Sequence, residues 1–151
     1  MMEKIEHLYR IIWMSRPLMQ AAEAAVEKGL VGTGLTVRMR AILEMLHRHG
    51  DSTVPDLARE LEIQRQYVQL MVNETLAEDL AVRIPNPRHK RSTLIALTEK
   101  GRILIKGVIE QERALVATIG AEIGASETEA ALDVMMTLIE QLKIHNQDKA
   151  R

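Results

Sequence analysis

Residues 53–78, TVPDLARELEIQRQYVQLMVNETLAE, contain the pattern that decides the fold. Thr53 is followed three residues later by Asp56, which matches a capping box with Asp in place of Glu and predicts a short helix to about Glu60. Apolar residues repeat at helical spacing over 64–78, and this predicts a second helix. Because so few residues separate the two helices, they form a candidate helix-turn-helix.

The rest of the chain is predicted to be mostly helical, with one β-hairpin. Pro17 lies inside the first predicted helix and, because proline has no N–H, should kink or split it. Two short runs rich in branched residues, 80–84 and 93–97, predict a hairpin with a long tip. The last two helices begin at Thr98 and at a second capping box that opens with Ser126. The predicted flanking helices cover 3–28, 37–49, 99–122 and 126–145.

The composition excludes several classes of protein. With 46% hydrophobic and 27% charged residues and a formal net charge of −1, the 151 residues suit one globular domain with a core. Only 2% are aromatic, which favours helices over a strand-rich fold. The absence of cysteine excludes disulfides, thiolate metal sites and cysteine nucleophiles. No apolar run approaches the roughly 18 residues of a membrane span, and the first residues lack a secretory signal, so we expect a cytoplasmic protein.

Charge is distributed unevenly along the chain. Residues 35–102 carry eleven Lys and Arg against nine Asp and Glu, whereas 103–151 carry five against eight. Between Leu80 and Thr98 there is no acid, and this segment holds a cluster of cations. On charge alone, the cluster is compatible with an ordinary solvated loop or with an anion-binding tip.

Taken together, these segments resemble the MarR family of transcriptional regulators. The matching pieces are, in chain order, Leu35-Thr36, the PDLAREL run of 55–61, the basic segment 83–92 and the LTEKG run of 97–101. The resemblance covers nearly the whole chain and implies a single domain, 1–151, of the winged helix-turn-helix type. It further implies a DNA-binding lobe over 36–98, whose hairpin is the wing, and helical dimerisation segments over 3–28 and 99–146.

The resemblance also implies a function. Members of the family are homodimers that bind pseudo-palindromic double-stranded DNA, usually as repressors, and often release it when a small aromatic or phenolic ligand binds. The last predicted helix fits a dimer, because its apolar residues cover more surface than a terminal helix of a monomer normally buries. These residues are Ala131, Leu132, Val134, Met135, Met136, Leu138, Ile139 and Leu142.

Three positions depart from the family pattern. His89 stands where the wing usually carries an Asp that steadies an arginine. Gln64, a poor helix cap, replaces a serine at the start of the recognition helix, and Asp79 replaces a glycine after its end. Because Asp tolerates a left-handed backbone better than most residues, we still expect the turn at this position.

The resemblance makes 64–78 the recognition helix, whose outward side chains would enter the major groove. With Val68, Val72 and Thr75 facing inward, the outward face carries amides suited to adenine and a leucine suited to a thymine methyl. At its flanks lie a tyrosine and an arginine suited to guanine. The wing cations would contact phosphates and the minor groove, with Arg91 the first choice for the groove. Without the resemblance, the same helix face could simply be solvated. The candidate DNA-binding residues are Gln64, Arg65, Gln66, Tyr67, Gln69, Leu70, Asn73, Arg83, Arg88, Lys90 and Arg91.

Acidic residues limit how the recognition helix can approach DNA. Glu74, Glu78 and Asp79 lie toward its far end, where they would repel phosphate. The helix should therefore enter the groove by its N-terminal half.

The first helix carries the candidate effector residues, since effectors in this family often bind near it. A tryptophan can stack on an aromatic ring and an arginine can pair with a carboxylate, although a single tryptophan on an apolar face is also typical of a core. The candidates are His7, Tyr9, Trp13 and Arg16. No histidine pair has metal-ligand spacing, so we expect no metal site, and nothing in the sequence implies a cofactor.

Three functions remain compatible with the sequence. The first is a dimeric repressor released by a ligand, and the second is a winged-helix regulator without a small-molecule effector. The third is a helical adaptor whose basic hairpin binds acidic protein surfaces. An enzyme is disfavoured, because there is no phosphate loop, no metal constellation and no cysteine nucleophile.

Overall fold

The computed structural model describes residues 1–148, which form six helices and one antiparallel hairpin. The elements are α1 (Met2–Leu30), α2 (Val37–His49), α3 (Val54–Leu61), α4 (Arg65–Ala77), β1 (Ala81–Pro85), β2 (Thr93–Leu97), α5 (Glu99–Ile119) and α6 (Ala125–Asp148). The predicted fold class, mostly α with a winged helix-turn-helix, is confirmed. None of the helices within residues 1–148 is long and apolar enough to cross a membrane.

The chain divides into two compact units. Residues Ala21–Ala114 form the winged-helix unit, which contains α2, α3, α4, the hairpin and the adjoining parts of α1 and α5. Met1–Gln20 and the described residues from Leu115 to Asp148 form the helical unit, which contains the first part of α1, the end of α5 and α6.

Side-chain caps begin the helices that lead into the helix-turn-helix. The Thr36 hydroxyl accepts a hydrogen bond from the Met39 N–H at 3.1 Å, which starts α2 as predicted. In α3 the capping box is complete: the Thr53 N–H donates to Asp56 Oδ2 at 3.1 Å, and the Asp56 N–H donates to Thr53 Oγ1 at 3.2 Å. The bond from the Thr53 N–H lowers the pKa of the Asp56 carboxyl below its ordinary value, because it stabilises the carboxylate.

Two apolar clusters hold the winged-helix unit together. One joins α2, α3, α4 and the hairpin, and the other joins the end of α1, α2 and the start of α5. Within the first, Val68, Val72 and Thr75 of α4 are completely buried, as the helical spacing predicted. The buried inner face therefore fixes α4 in the winged-helix unit.

A short bridge extends the hairpin, and no sequence pattern predicts it. The Ser52 N–H donates to the Ile95 carbonyl at 3.1 Å, and the Ile95 N–H donates to the Ser52 carbonyl at 2.8 Å. The bridge ties the loop before α3 to β2. Because Ser52 pairs as a single residue, no alternating run announces it in the sequence.

The chain between α4 and α5 forms a compact joint. Asp79 adopts a left-handed backbone, φ +57°, as predicted for a residue that stands where the family usually has a glycine. The Thr98 hydroxyl donates to the Asp79 carbonyl at 2.7 Å and accepts from the Gly101 N–H at 3.0 Å. The Thr98 N–H donates to the Leu80 carbonyl at 3.1 Å. A Cβ on Gly101 would lie 1.9 Å from that carbonyl oxygen, so only glycine fits this place in α5.

Of the two outcomes predicted at Pro17, a kink or a split, the split is wrong, and the predicted capping box at Ser126 is also wrong. Pro17 does not split the first helix, because α1 runs unbroken from Met2 to Leu30 despite the missing N–H. Ser126 does not open a capping box, because α6 already begins at Ala125 and places Ser126 inside its first turn. Gly124 stands before the helix instead, a residue that is tolerated at the cap position.

Candidate nucleic-acid interface

The outer face of α4 is polar and exposed. Leu70 is 59% exposed and Tyr67 45% exposed, while Arg65, Gln66 and Asn73 are exposed beside them. Gln64 precedes the helix without a side-chain cap, as expected for this residue. The candidate residues of the recognition helix therefore lie together on one side, away from the buried inner face.

Two of these candidates are bonded to each other. Gln69 Nε2 donates to Asn73 Oδ1 at 2.9 Å, one helical turn away. Gln69 is half-buried, whereas Asn73 is exposed. The two amides thus form one small polar array on the outer face.

An arginine of α2 neutralises one of the acids on α4, a contact that the local sequence does not predict. Arg38 of α2 binds Glu74 through two hydrogen bonds, Nε to Oε2 and Nη2 to Oε1, both 3.0 Å. These bonds raise the pKa of Arg38 above its usual value, because the carboxylate stabilises the guanidinium. The two residues are 36 positions apart, so no local pattern could reveal the pair. Glu74 consequently repels phosphate less than its sequence position implies.

The wing tip is ordered by an asparagine and a serine. Asn86 Oδ1 accepts from the Arg88 N–H at 3.0 Å, and Asn86 Nδ2 donates to Ser92 Oγ at 2.9 Å. The Ser92 N–H donates to the His89 carbonyl at 3.1 Å. These bonds give the tip a defined backbone although His89 replaces the usual carboxylate.

The wing cations lie in this ordered tip and in β1, which holds Arg83. Arg83, Arg88, Lys90 and Arg91 are all exposed. Within residues 1–148, none of the four takes part in an ion pair. Their charges are therefore uncompensated by the protein, as expected of groups that bind an anion.

The effector candidates lie on two sides of α1. A cavity of about 690 Å³ in the helical unit is lined by α1 and α6, and it includes His7 and Arg10 among otherwise mainly apolar walls. Tyr9, Trp13 and Arg16 do not line this cavity and lie on the opposite side of α1. There the Tyr9 and Trp13 rings meet edge to face, 6.2 Å apart, and Trp13 is 54% exposed. In the described part of the chain, no group of three or more His, Asp or Glu could hold a metal ion.

The helical unit exposes a broad apolar surface. None of the described residues of α6 is buried, although the helix carries large apolar side chains. The exposed apolar residues of α6 include Leu132, Met136, Ile139 and Leu142.

Comparisons with known proteins agree on one family. A model of the MarR family matches residues 33–92. The uncharacterized protein Rv2011c of Mycobacterium tuberculosis is 32% identical over 91 residues, which are 60% of this chain. The matched region spans 64% of the length of that relative.

Solved structures extend the likeness over nearly the whole chain. The crystal structure of the MarR family transcription regulator SP03579 is 31% identical, covers 97% of both chains and has a TM-score of 0.88. CouR from Rhodococcus jostii RHA1, solved with bound p-coumaroyl-CoA, is 24% identical over 85% of this chain and 90% of its own, with a TM-score of 0.75, and supports the fold alone. The sequence motifs, the winged-helix unit and the likeness to SP03579 agree, and the chain belongs to the MarR family of winged helix-turn-helix transcriptional regulators.

Proposed function

We propose that this protein is a homodimer that binds pseudo-palindromic double-stranded DNA and represses transcription. One observation carries the proposal: a helix with exposed amide, arginine and leucine side chains packs beside a hairpin whose four cations have no acidic partner among residues 1–148. Amides and arginine suit base edges, and the unpaired cations suit the phosphate backbone. Repression is the usual direction of regulation in the family that the sequence resembles.

The arrangement of charge supports a defined docking orientation. Arg65, Gln66 and Gln69 belong to the N-terminal part of α4, whereas Glu78 and Asp79 lie exposed after its end. The N-terminal half would enter the major groove, because the opposite end would meet phosphate with negative charge. The wing would then supply affinity through Arg83, Arg88, Lys90 and Arg91, with little influence on base choice.

A two-fold dimer would determine the form of the operator. Each subunit offers one recognition helix, so a symmetric pair requires two inverted half-sites about one helical turn apart, roughly 10 base pairs. A footprint over a single asymmetric half-site would contradict this part of the proposal.

Replacing Arg91 by alanine tests the wing. We expect weaker binding to specific and unrelated duplexes alike and a shallower salt dependence, because a phosphate or minor-groove contact releases counterions whatever the sequence. Fluorescence anisotropy across a salt series measures both quantities.

Arg48→Ala is the matched control for this test. It removes the same charge from α2, where Arg48 is paired with Glu44, and should leave the salt slope unchanged. An unchanged affinity and slope in Arg91→Ala would disprove the wing assignment. A wild-type protein that binds no duplex even at low salt would favour the adaptor that binds acidic protein surfaces.

We further propose that a small aromatic acid bound against α1 releases the DNA. The half-exposed Tyr9 and Trp13 pair offers a stacking surface with Arg16 on the same side of the helix. Binding of p-coumaroyl-CoA by CouR, a protein of the same fold, agrees with an effector that carries an aromatic ring. Release follows if the ligand prefers a dimer whose recognition helices are wrongly spaced.

A panel of aromatic carboxylates tests the effector. An active compound should quench Trp13, the only tryptophan, and lower DNA affinity, and Arg16→Ala should abolish both effects while leaving DNA binding intact. Arg10→Ala, on the cavity side of α1, is the matched control and should respond normally. The reverse pattern would move the effector to the cavity, and a silent panel would favour regulation without a small molecule.

A further inference from the structure

Gln69 and Asn73 are not independent candidates, because a hydrogen bond joins their side-chain amides. We propose that Gln69 reads an adenine in the major groove and that Asn73 is a positioning residue that fixes the orientation of the Gln69 amide. The inference rests on the proposed DNA binding, which it deepens by assigning a base and a division of roles to α4.

The hydrogen bond leaves Gln69 with the groups that adenine requires. A glutamine amide has two N–H donors and one oxygen acceptor, and the bond to Asn73 Oδ1 uses only one of the donors. No other side-chain hydrogen bond within residues 1–148 engages Gln69. When the bond to Asn73 uses the N–H that points away from Oε1, the other N–H and Oε1 lie side by side in one plane and match the N7 acceptor and the N6 donor on the major-groove edge of adenine.

Asn73 is the less suitable reader of the two. Its oxygen already accepts from Gln69, and it lies one turn closer to the acidic end of α4. Gln69 lies closer to the N-terminal half that the proposed docking brings into the groove. Leu70, the next residue, is 59% exposed and can contact a thymine methyl, which strengthens the assignment of an A·T pair.

The ion pair between Arg38 and Glu74 limits competition for the hydrogen bond between Gln69 and Asn73. Glu74 follows Asn73 directly and its carboxylate could otherwise accept from a nearby amide. Both Glu74 oxygens instead accept hydrogen bonds from Arg38 of α2, at 3.0 Å each, which hold the carboxylate in place. The Arg38 contact therefore reduces competition for the Gln69 N–H, which donates to Asn73 Oδ1.

The hydrogen bond between Gln69 and Asn73 should make only a modest contribution to base preference. An amide pair one turn apart on a solvated helix shifts side-chain populations by only about twofold. Exclusion of water from the groove strengthens such a bond, so we expect up to about fivefold at the interface. The direct contact of Gln69 with adenine should be larger, about tenfold or more in discrimination against other bases.

A double-mutant cycle measured on base preference tests the inference. Site selection from random duplexes first gives the preferred operator, and each position is then replaced in turn to measure the affinity ratio of preferred to substituted base pairs. We expect Gln69→Ala to abolish preference at one A·T position. Asn73→Ala should weaken preference at that same position by about two- to fivefold, and it should have no further effect in the Gln69→Ala background.

Two further variants separate positioning from other effects. Asn73→Asp keeps an acceptor for Gln69, so it should retain the preference while its added charge lowers affinity for all duplexes. Arg91→Ala should lower affinity without altering preference at any position.

Specific results would overturn the inference. Additive effects of Gln69→Ala and Asn73→Ala on preference, or a loss of preference at different base pairs, would show that Asn73 reads a base itself. An Asn73→Asp protein that loses the preference as completely as Asn73→Ala would exclude the positioning bond. A wild-type protein without any duplex binding would instead refute the proposed function, which makes the two failures distinguishable.

Discussion

Replacing Gly101 by alanine is expected to destabilise the protein by about 3 kcal/mol, although the change adds a single methyl group. The new Cβ would lie 1.9 Å from the Leu80 carbonyl oxygen, well inside any allowed contact. That oxygen cannot move away easily, because it accepts the Thr98 N–H at 3.1 Å within the joint between α4 and α5. Relief of the clash would therefore displace the start of α5 or the end of the recognition helix.

Urea denaturation followed by circular dichroism measures this loss of stability. Gly107→Ala provides a matched control in the same helix, since a Cβ there meets nothing within 4 Å. Because alanine favours helix over glycine, this control should stabilise the protein by up to about 1 kcal/mol. Equal unfolding midpoints for the two variants would contradict the close approach at Gly101.

The second large effect is expected from Leu132→Glu on α6. The proposed dimer would cover this side chain, which is 60% exposed in the single chain, and a buried unpaired carboxylate would oppose association. The wild-type protein should sediment at about twice the 17.1 kDa of one chain, and the variant as a monomer. Loss of the second half-site contact should lower operator affinity by about 100- to 10,000-fold.

Val31→Glu controls for the addition of a carboxylate to an exposed apolar position. Val31 is 82% exposed and lies just after α1, outside the apolar surface of α6. The Val31→Glu variant should sediment and bind the operator much as the wild-type protein does. A wild-type mass near 17.1 kDa at micromolar protein would refute the dimer directly.

The sequence contains the local determinants of the fold. Thr36 and Thr53 place the starts of α2 and α3, and their side-chain caps need only the next three residues. The inner face of α4 follows from the spacing of apolar residues alone. Features of this kind are predictable, because the interacting groups are close in the chain.

The missed features depend on residues that are distant in sequence. Ser52 meets Ile95, and Arg38 meets Glu74, only after the elements have packed. The order of the wing tip was missed for a different reason. The family pattern assigns a steadying role in the wing to an acid, which His89 replaces here. Asn86 and Ser92 form the bonds that order the tip instead.

The joint at Leu80 and Gly101 has a consequence for engineering. It is built largely from main-chain atoms and the hydroxyl of Thr98, whereas the residues proposed to choose bases project from the other side of α4. The two sets share no side chain, so exchanging Gln66, Gln69 or Leu70 should retarget the regulator to a new operator while the scaffold that aims the helix stays intact. A library randomised at those positions, with Thr98 and Gly101 held constant, would give regulators that differ in the sequence they recognise and share a single mode of docking.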